Sequence, residues 1–489
     1  MATEIMVDTP FGGLRGLTEG GVSCFRQVPY AEQPIGSRRF AMPGEPMHWA
    51  GLRDAMQPGA VPPQLPSRLD SVMGSYAAIQ NEACLHLDIW SPVSPDASVP
   101  VLVFIHGGAF MTGGGSLPCY EGAMLARNTG LVVVTITYRL GAFGFMPMPG
   151  IAPDNLGLHD QIAALRWIGQ AIHAFGGDPT AITVIGQSAG AFSIAAMLAS
   201  PSCKGLFRRA VLMSAPLGLK LRHTHEAPPV GRAILAATGR DPGTLEALRM
   251  LPVEDVLQGL RQLQRSPPPA DVPGDVTPPF MPVIDGTLLP GDPMEAIRAG
   301  TGGWCDTIIG VTREEYGAFA LGNPVFRDLT DAALEREFTR IFGDRAPAAL
   351  AKARARRAPA SPGALLADLR ADESFVEASV EFARLQGEFG ANSYMYQFDW
   401  QSPRAEIGAC HCIDLPFLMG NLETWGAAPM IQGARDREVQ DLSGQMQGAM
   451  AAFARSGDPN GSDLPIWPPF GTRSVQLHFD RQSRSYAIA

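Results

Sequence analysis

Short apolar runs recur along the chain with helical patterns between them, and this alternation constrains the fold more than any other feature. The runs are Val101–His106, Leu131–Tyr138, Ala181–Gly186, Ala210–Ser214, Thr307–Val311, Tyr394–Trp400 and Ser474–Phe479. Most are rich in Val, Ile, Phe and Tyr, the residues that pack well on a pleated surface. Between them, Asp160–Phe175 carries Ile162, Leu165, Trp167, Ile168 and Ile172 at helical spacing. Gly190–Ala199 is apolar almost all round and is expected to be a buried helix. Strands alternating with helices predict an α/β fold, with a central, mostly parallel sheet flanked by helices.

Two stretches interrupt the alternation. Arg265–Phe280 is proline-dense and reads as an ordered surface connection. Asp344–Gly390 is rich in Ala and Arg and reads as helices broken at Pro359–Pro362. Its basic run (Lys352, Arg354, Arg356, Arg357) reads as a solvated helix face, because neighbouring acids dilute it. There is no convincing linker, repeat or low-complexity tract. The expectation is one domain over residues 1–489, enlarged by helical insertions at roughly 220–300 and 320–390.

Composition excludes several function classes. At 46% hydrophobic and 18% charged, the 489 residues are too apolar for a disordered chain. With 48 acidic against 38 basic side chains the net charge is −10, which argues against a nucleic-acid partner. No apolar run reaches the roughly 18 residues needed to span a membrane. Glu4 and Asp8 stand near the start with no basic-then-apolar segment, so no secretory leader is expected. Seven cysteines without paired zinc spacing fit free thiols in a reducing, cytoplasmic setting. Monomer and homodimer are both compatible with the sequence.

Gly186-Gln187-Ser188-Ala189-Gly190 is a G-x-S-x-G motif placed between a buried-strand pattern and a helix. A strand-to-helix turn this tight strains the backbone at the serine and admits only small residues at 186 and 190. The result is a hydroxyl at the carboxyl edge of a sheet, a candidate nucleophile. His106-Gly107-Gly108-Ala109-Phe110 follows another strand. Its small residues let backbone N–H groups turn inward, where they can hold the charge that acyl transfer builds on a carbonyl oxygen. The N–H groups of Gly108 and Ala109 are the expected donors, with Ala189 as the third. His106 precedes the nucleophile and is expected to prop the loop.

A serine needs an imidazole base and an orienting carboxylate. In a sheet of this kind their chain order is Ser, acid, His. His223 and His225 come too early to leave a core strand for the acid, and are expected in a polar loop rather than as a metal pair. His478 lies in an alternating strand pattern. That leaves His411, in the loop after Tyr394–Trp400. The acid should follow Thr307–Val311, in Thr312-Arg313-Glu314-Glu315, where position alone does not separate Glu314 from Glu315. Cys410 and Cys412 flank His411, but alternate side chains in extended chain point apart, so pocket-wall thiols are expected rather than metal ligands.

These residues resemble the type-B carboxylesterases, the α/β-hydrolase group that includes the cholinesterases. The resemblance runs nearly end to end. It takes in Val28-Pro-Tyr-Ala-Glu-Gln-Pro-Ile-Gly36, Arg39-Phe40, Asn81-Glu-Ala-Cys-Leu-His-Leu-Asp-Ile-Trp90 and the His106–Phe110 loop. It continues through Asp154-Asn-Leu-Gly-Leu-His-Asp-Gln161, Phe175-Gly-Gly-Asp-Pro179, the Ser188 turn, Thr312–Glu315, the His411 segment and Phe453-Ala-Arg-Ser-Gly-Asp-Pro-Asn460. The resemblance implies Ser188 as nucleophile, Glu315 as acid and His411 as base. It also implies an Arg39–Glu82 pair near the gorge, and support of the triad by Ser214 and Asp414.

The sequence departs from the family pattern at four places. Tyr316 follows the acid where Gly is common. Gln187 precedes the nucleophile where Glu is frequent, which removes a negative charge beside the serine and one feature that favours cationic substrates. Cys84 matches a family cysteine whose partner is missing from Val61-Pro-Pro-Gln-Leu-Pro66, so that disulfide cannot form. Ala109 is the third small residue of the oxyanion loop and keeps its N–H.

The expected function is hydrolysis of small to medium uncharged esters through an acyl-enzyme, with amides or carbamates as alternative substrates. An apolar pocket is expected from Phe110, Met111, Phe143, Phe145 and Phe192. No metal or other cofactor is expected, and the partner is a small-molecule ester. A non-catalytic binding protein on the same fold is the rival reading, but such family members lack triad residues that are present here.

Overall fold

The structure is a computed structural model that describes residues 2–92, 98–237, 239, 243–265, 272–461 and 464–488. Part of the proline-dense connection, residues 266–271, lies outside the described residues. The strands are β1 (Thr3–Thr9), β2 (Gly12–Glu19), β3 (Val22–Pro29), β4 (Leu52–Asp54), β5 (His86–Pro92), β6 (Val99–Ile105) and β7 (Val132–Ile136). They continue as β8 (Gly177–Gln187), β9 (Arg209–Met213), β10 (Asp306–Thr312), β11 (Ser393–Phe398), β12 (Val475–Phe479) and β13 (Arg484–Ala487). All join one sheet in the order β1-β2-β3-β5-β7-β6-β8-β9-β10-β11-β12-β13, with β4 beside β2. From β7 to β12 every neighbouring pair is parallel, and both ends of the sheet are antiparallel.

Each predicted run coincides with one of these parallel strands. Their continuous apolar sequence reflects burial on both faces. In β6, Val101, Val103 and Ile105 enter one hydrophobic core while Leu102 and Phe104 enter the core on the opposite face. The first strand shows no such run because one side meets solvent; β1 alternates largely between exposed and half-buried residues.

The predicted helices form at Leu156–Ala171, continued by a 3₁₀ turn to Phe175, and at Ala189–Ala199, which is buried all round. The stretch between β9 and β10 carries helices at Pro228–Ala237, Leu245–Arg249, Val253–Arg265 and Pro293–Arg298. Between β10 and β11, the helices Asp331–Phe342, Ala346–Arg356 and Pro362–Ala371 build their own apolar cluster around Phe326, Leu334, Phe338 and Leu366, whereas Phe382 and Leu385 of the helix Glu377–Glu388 join the main core. That cluster includes Val311 and Tyr316, so this helical layer packs directly on the end of β10. The basic run there is not uniformly solvated. Arg354 pairs with Asp331 at the surface, but Arg357 reaches inward to Asp368 at 2.6 Å and Glu314 at 3.2 Å.

Candidate active site

The carboxyl ends of β6, β8, β10 and β11 bring three distant stretches together. At the end of β8, Ser188 holds φ 55° and ψ −119°, a strained conformation for a residue with a side chain. Such backbone costs of order 1–3 kcal/mol and persists only where packing over-determines it. Here the packing is backbone on backbone. A Cβ on Gly186 would lie 2.6 Å from the Gly190 carbonyl carbon, and one on Gly190 would intrude on the Ile105 carbonyl oxygen. Ser188 N–H donates to Met213 O at 2.8 Å, tying the turn to β9. Ser188 is half-buried, whereas Gln187 and Ala189 on either side are buried.

The loop after β6 faces this turn. Ala109 and Phe110 hold φ 57° and 59°, and Gly108 holds φ 106°. Among the described residues, the N–H groups of Gly108 and Ala109 donate to no acceptor within the chain. Ala189 is the first residue of its helix, where N–H groups lack intrahelical partners. Three small residues thus present unengaged donors beside Ser188. His106 is wholly buried, stacks on Tyr138 at 4.4 Å and donates from Nδ1 to Gly107 O at 2.8 Å. Burial pushes its pKa down to about 4, so it is a neutral prop beneath the loop.

The two glutamates after β10 have different partners. Glu315 is wholly buried, and its Oε2 lies 2.5 Å from His411 Nδ1 while Oε1 accepts from Thr312 N–H at 2.7 Å. Glu314 turns the other way. Its Oε2 accepts from Ala409 N–H at 2.7 Å and its Oε1 pairs with Arg357. Glu315 is therefore the carboxylate against the imidazole, and Glu314 fastens the loop that carries it.

His411 is 1% exposed and sits between two phenylalanine rings, Phe319 at 5.3 Å and Phe375 at 5.1 Å. With the Nδ1 proton directed at Glu315, Nε2 carries the lone pair. Its hydrogen-bond partner is the carboxamide nitrogen of Gln187 at 3.1 Å. Among the described residues no hydrogen bond joins Ser188 Oγ to His411. The residue preceding Ser188 nevertheless touches the imidazole, which places the hydroxyl's own turn against the base.

Asp414 accepts from Tyr396 O–H at 2.9 Å, and its second oxygen has no partner among the described residues. Burial, reinforced by the Glu315 charge, pushes its carboxyl up to about 7. Ser214 is buried with φ 50°, and its hydroxyl also lacks a protein partner. Arg39 Nε meets Glu82 at 2.5 Å. All seven cysteines are free, with Cys84 buried beside Pro62 and Pro63.

The aromatic residues expected around a pocket lie mainly in the core. Phe110 packs on Phe145 at 4.8 Å and on Phe192 at 6.2 Å, and all three are buried; Phe143 stacks on Phe40 and only Met111 is half-buried. A cavity of about 340 Å³ opens on the outer side of the acid turn, lined by Glu314, Tyr316, Phe326, Arg357 and Asp368 among others, but not by Ser188 or His411. His223 and His225 stack on each other at 5.5 Å, and His478 pairs with Asp399. Among the described residues, no group of three or more His, Cys, Asp or Glu is placed to hold a metal ion.

Sequence reasoning missed Phe319, Phe375 and Tyr396. No local pattern marks them. Phe375 sits in a one-turn π-helix, Asp372–Val376, within the helical insertion. Such turns recur at functional sites, but only the structure reveals them.

The chain is similar to known proteins over nearly its whole length. The chain matches the carboxylesterase family over residues 3–486. It is 36% identical over 477 residues to the para-nitrobenzyl esterase of Bacillus subtilis (strain 168), covering 96% of this chain and 93% of that protein. It is equally identical to the phenmedipham hydrolase of Pseudarthrobacter oxydans, covering 96% and 94%. Among solved structures, a carboxylesterase of Geobacillus stearothermophilus superposes with a TM-score of 0.85 at 36% identity, covering 98% of this chain and 97% of that one.

Proposed function

The chain belongs to the carboxylesterase family and has the α/β-hydrolase fold, and from that premise we propose that it hydrolyses small to medium uncharged esters through an acyl-enzyme on Ser188. Ser188 Oγ attacks the ester carbonyl while His411 Nε2 takes its proton. The N–H groups of Gly108, Ala109 and Ala189 hold the oxyanion that forms. Collapse expels the alcohol, which receives the proton from the same imidazole. Water, deprotonated by His411, then clears the acyl group. Glu315 keeps the Nδ1 proton in place and stabilises the imidazolium.

The observation that carries this reading is the buried 2.5 Å contact between Glu315 and His411, directed at a strained serine turn. Preorganised amides support it as well, since each such donor contributes about 10²–10³ in rate. Amides and carbamates call on the same acyl-transfer machinery and form the second reading, favoured by the similarity to a phenmedipham hydrolase. The chain is read as one catalytic unit working in a reducing, cytoplasmic compartment, which seven free thiols support.

A fluorophosphonate tests the chemistry. The expected result is a stoichiometric mass increase on the peptide containing Ser188, with loss of p-nitrophenyl ester turnover. Turnover that persists in Ser188→Ala would refute the reading. A series of p-nitrophenyl esters graded by acyl length, with one anilide and one carbamate, defines the substrate range.

A further inference from the structure

Gln187 occupies a position that the proposed mechanism leaves unexplained. Its carboxamide nitrogen lies 3.1 Å from His411 Nε2 and 3.2 Å from Cys412 Sγ. A carboxamide nitrogen carries two hydrogens, and here each has an acceptor. Cys412 holds φ 74°, a left-handed conformation that is strained for a cysteine. The amide oxygen packs over Gly107, where any Cβ would intrude on it. Gln187 is 1% exposed, so the group is held on several sides rather than lying loose in solvent.

The chemistry of the contact is specific to glutamine. Because Nδ1 directs its proton to Glu315, Nε2 is bare and can only accept. A carboxylate at position 187 would have no hydrogen to offer it and could pair only with the imidazolium. The carboxamide does the opposite and satisfies the neutral imidazole. Yet the proposed mechanism needs the same lone pair to receive the Ser188 proton. One in-plane lone pair accepts one well-aligned hydrogen bond.

We propose that Gln187 is a positioning residue that caps the base in the unliganded enzyme, donating to His411 Nε2 until Ser188 replaces it as substrate enters. This rests on the reading of Ser188 and His411 as nucleophile and base. The cap holds the imidazole aligned while the site is empty, and limits the reactivity of Ser188 until the oxyanion amides are filled. The ionisable groups that act on the imidazole are Glu315 and Asp414; the Cys412 thiol of the same loop contacts Gln187, and Arg68 lies behind Phe319.

The test compares wild type with Gln187→Met, which keeps the length and loses the donor, and with Gln187→Glu. The second-order rate of fluorophosphonate labelling reads the reactivity of the free enzyme, and kcat/KM for a p-nitrophenyl ester is followed across pH. Loss of one neutral hydrogen bond predicts roughly three- to tenfold faster labelling in Gln187→Met. The acid limb of its kcat/KM profile should move to higher pH, and that of Gln187→Glu further still. Labelling at or below the wild-type rate with an unmoved acid limb would overturn the cap. If Gln187→Met does not fold, crystal structures of wild type without ligand and with a non-covalently bound anilide analogue of the ester, which leaves the Ser188 hydroxyl free to donate, decide. The Gln187–His411 bond must be present in the first and broken in the second, and its persistence in both would overturn the proposal. Failure of wild type to label at Ser188 would instead sink the underlying assignment of the nucleophile.

Discussion

The two halves of this site are held by different physics. The serine half is backbone packed on backbone. Ser188, Gly190 and the His106–Phe110 loop sit at the ends of adjacent parallel strands, where a single added methyl group would collide with a carbonyl. The half that carries His411 and Glu315 hangs on polar side-chain contacts. Glu314 grips Ala409, Glu315 grips both Thr312 and His411, and Tyr396 holds Asp414. Arg357 ties Glu314 to the helical layer above. One half is set by steric exclusion and is insensitive to pH. The other is titratable and coupled to an insertion, so the two should fail in different ways.

The largest effects should come from the residues where the halves meet. Ser188→Ala is expected to lower kcat by about 10⁴–10⁶ while leaving the melting temperature unchanged. Glu315→Gln should cost about 10⁴ in kcat, because the imidazole loses both its tautomer restraint and the charge that stabilises its protonated form. Glu314→Gln separates orientation from fastening. Its amide can still accept from Ala409 but no longer neutralises Arg357, so a loss of only about tenfold or less is expected. Steady-state kinetics on all three, with active sites titrated by fluorophosphonate, check these values. Equal losses in the two glutamate variants would erase the distinction between the halves.

The same division explains how much of the site could be read from the sequence. Steric exclusion leaves local marks. A buried strand followed by G-x-S-x-G and an apolar helix can hardly be built any other way, and the parallel strands announce themselves as runs of Val, Ile and Phe. Long-range charge contacts leave none. Glu314 and Glu315 are adjacent and chemically alike, and only the return of residues 408–411 against β10 gives them different tasks. Phe375 reaches His411 from a π-helical turn in the insertion, more than thirty positions away, and no spacing rule links the two. Arg357 looked like part of a solvated basic face because its acidic partners, Glu314 and Asp368, lie on other elements. The fold and the serine turn were therefore legible, and the contacts around the imidazole were not.

An intermediate effect should separate the helical layer from the chemistry. Arg370 is 3% exposed, bonds to Glu337 and Glu373, and donates to Pro273 O at 2.9 Å. Its guanidinium, together with Arg340, outweighs burial and holds the Glu337 carboxyl below its ordinary range. Arg370→Met leaves Arg340 as the guanidinium shared by Glu337 and Glu373 and frees the Pro273 carbonyl. Losing charged hydrogen bonds in this partly exposed network costs roughly 1–3 kcal/mol. Denaturant unfolding should show that loss, while turnover per titratable site stays close to wild type at low temperature. A parallel collapse of turnover would mean that the layer orients His411 directly.

A pH-dependent effect on stability concerns Asp414, a buried carboxyl under the influence of the Glu315 charge. Asp414 is raised from 3.8 to about 7, so between those values the folded protein retains a proton that the unfolded chain releases. The unfolded state then binds fewer protons, and stability falls as pH rises through this window before levelling off above it. Asp414→Asn removes the titration and keeps an acceptor for Tyr396 O–H. The variant should match wild type near pH 4 and be more stable at pH 8, by of order 2–4 kcal/mol. Urea unfolding at pH 4.5, 6 and 8 measures the difference. An unchanged pH slope in the variant would mean that the orphaned Asp414 oxygen and the Ser214 hydroxyl are hydrated in solution, and that the base is supported by a wet pocket rather than a dry one.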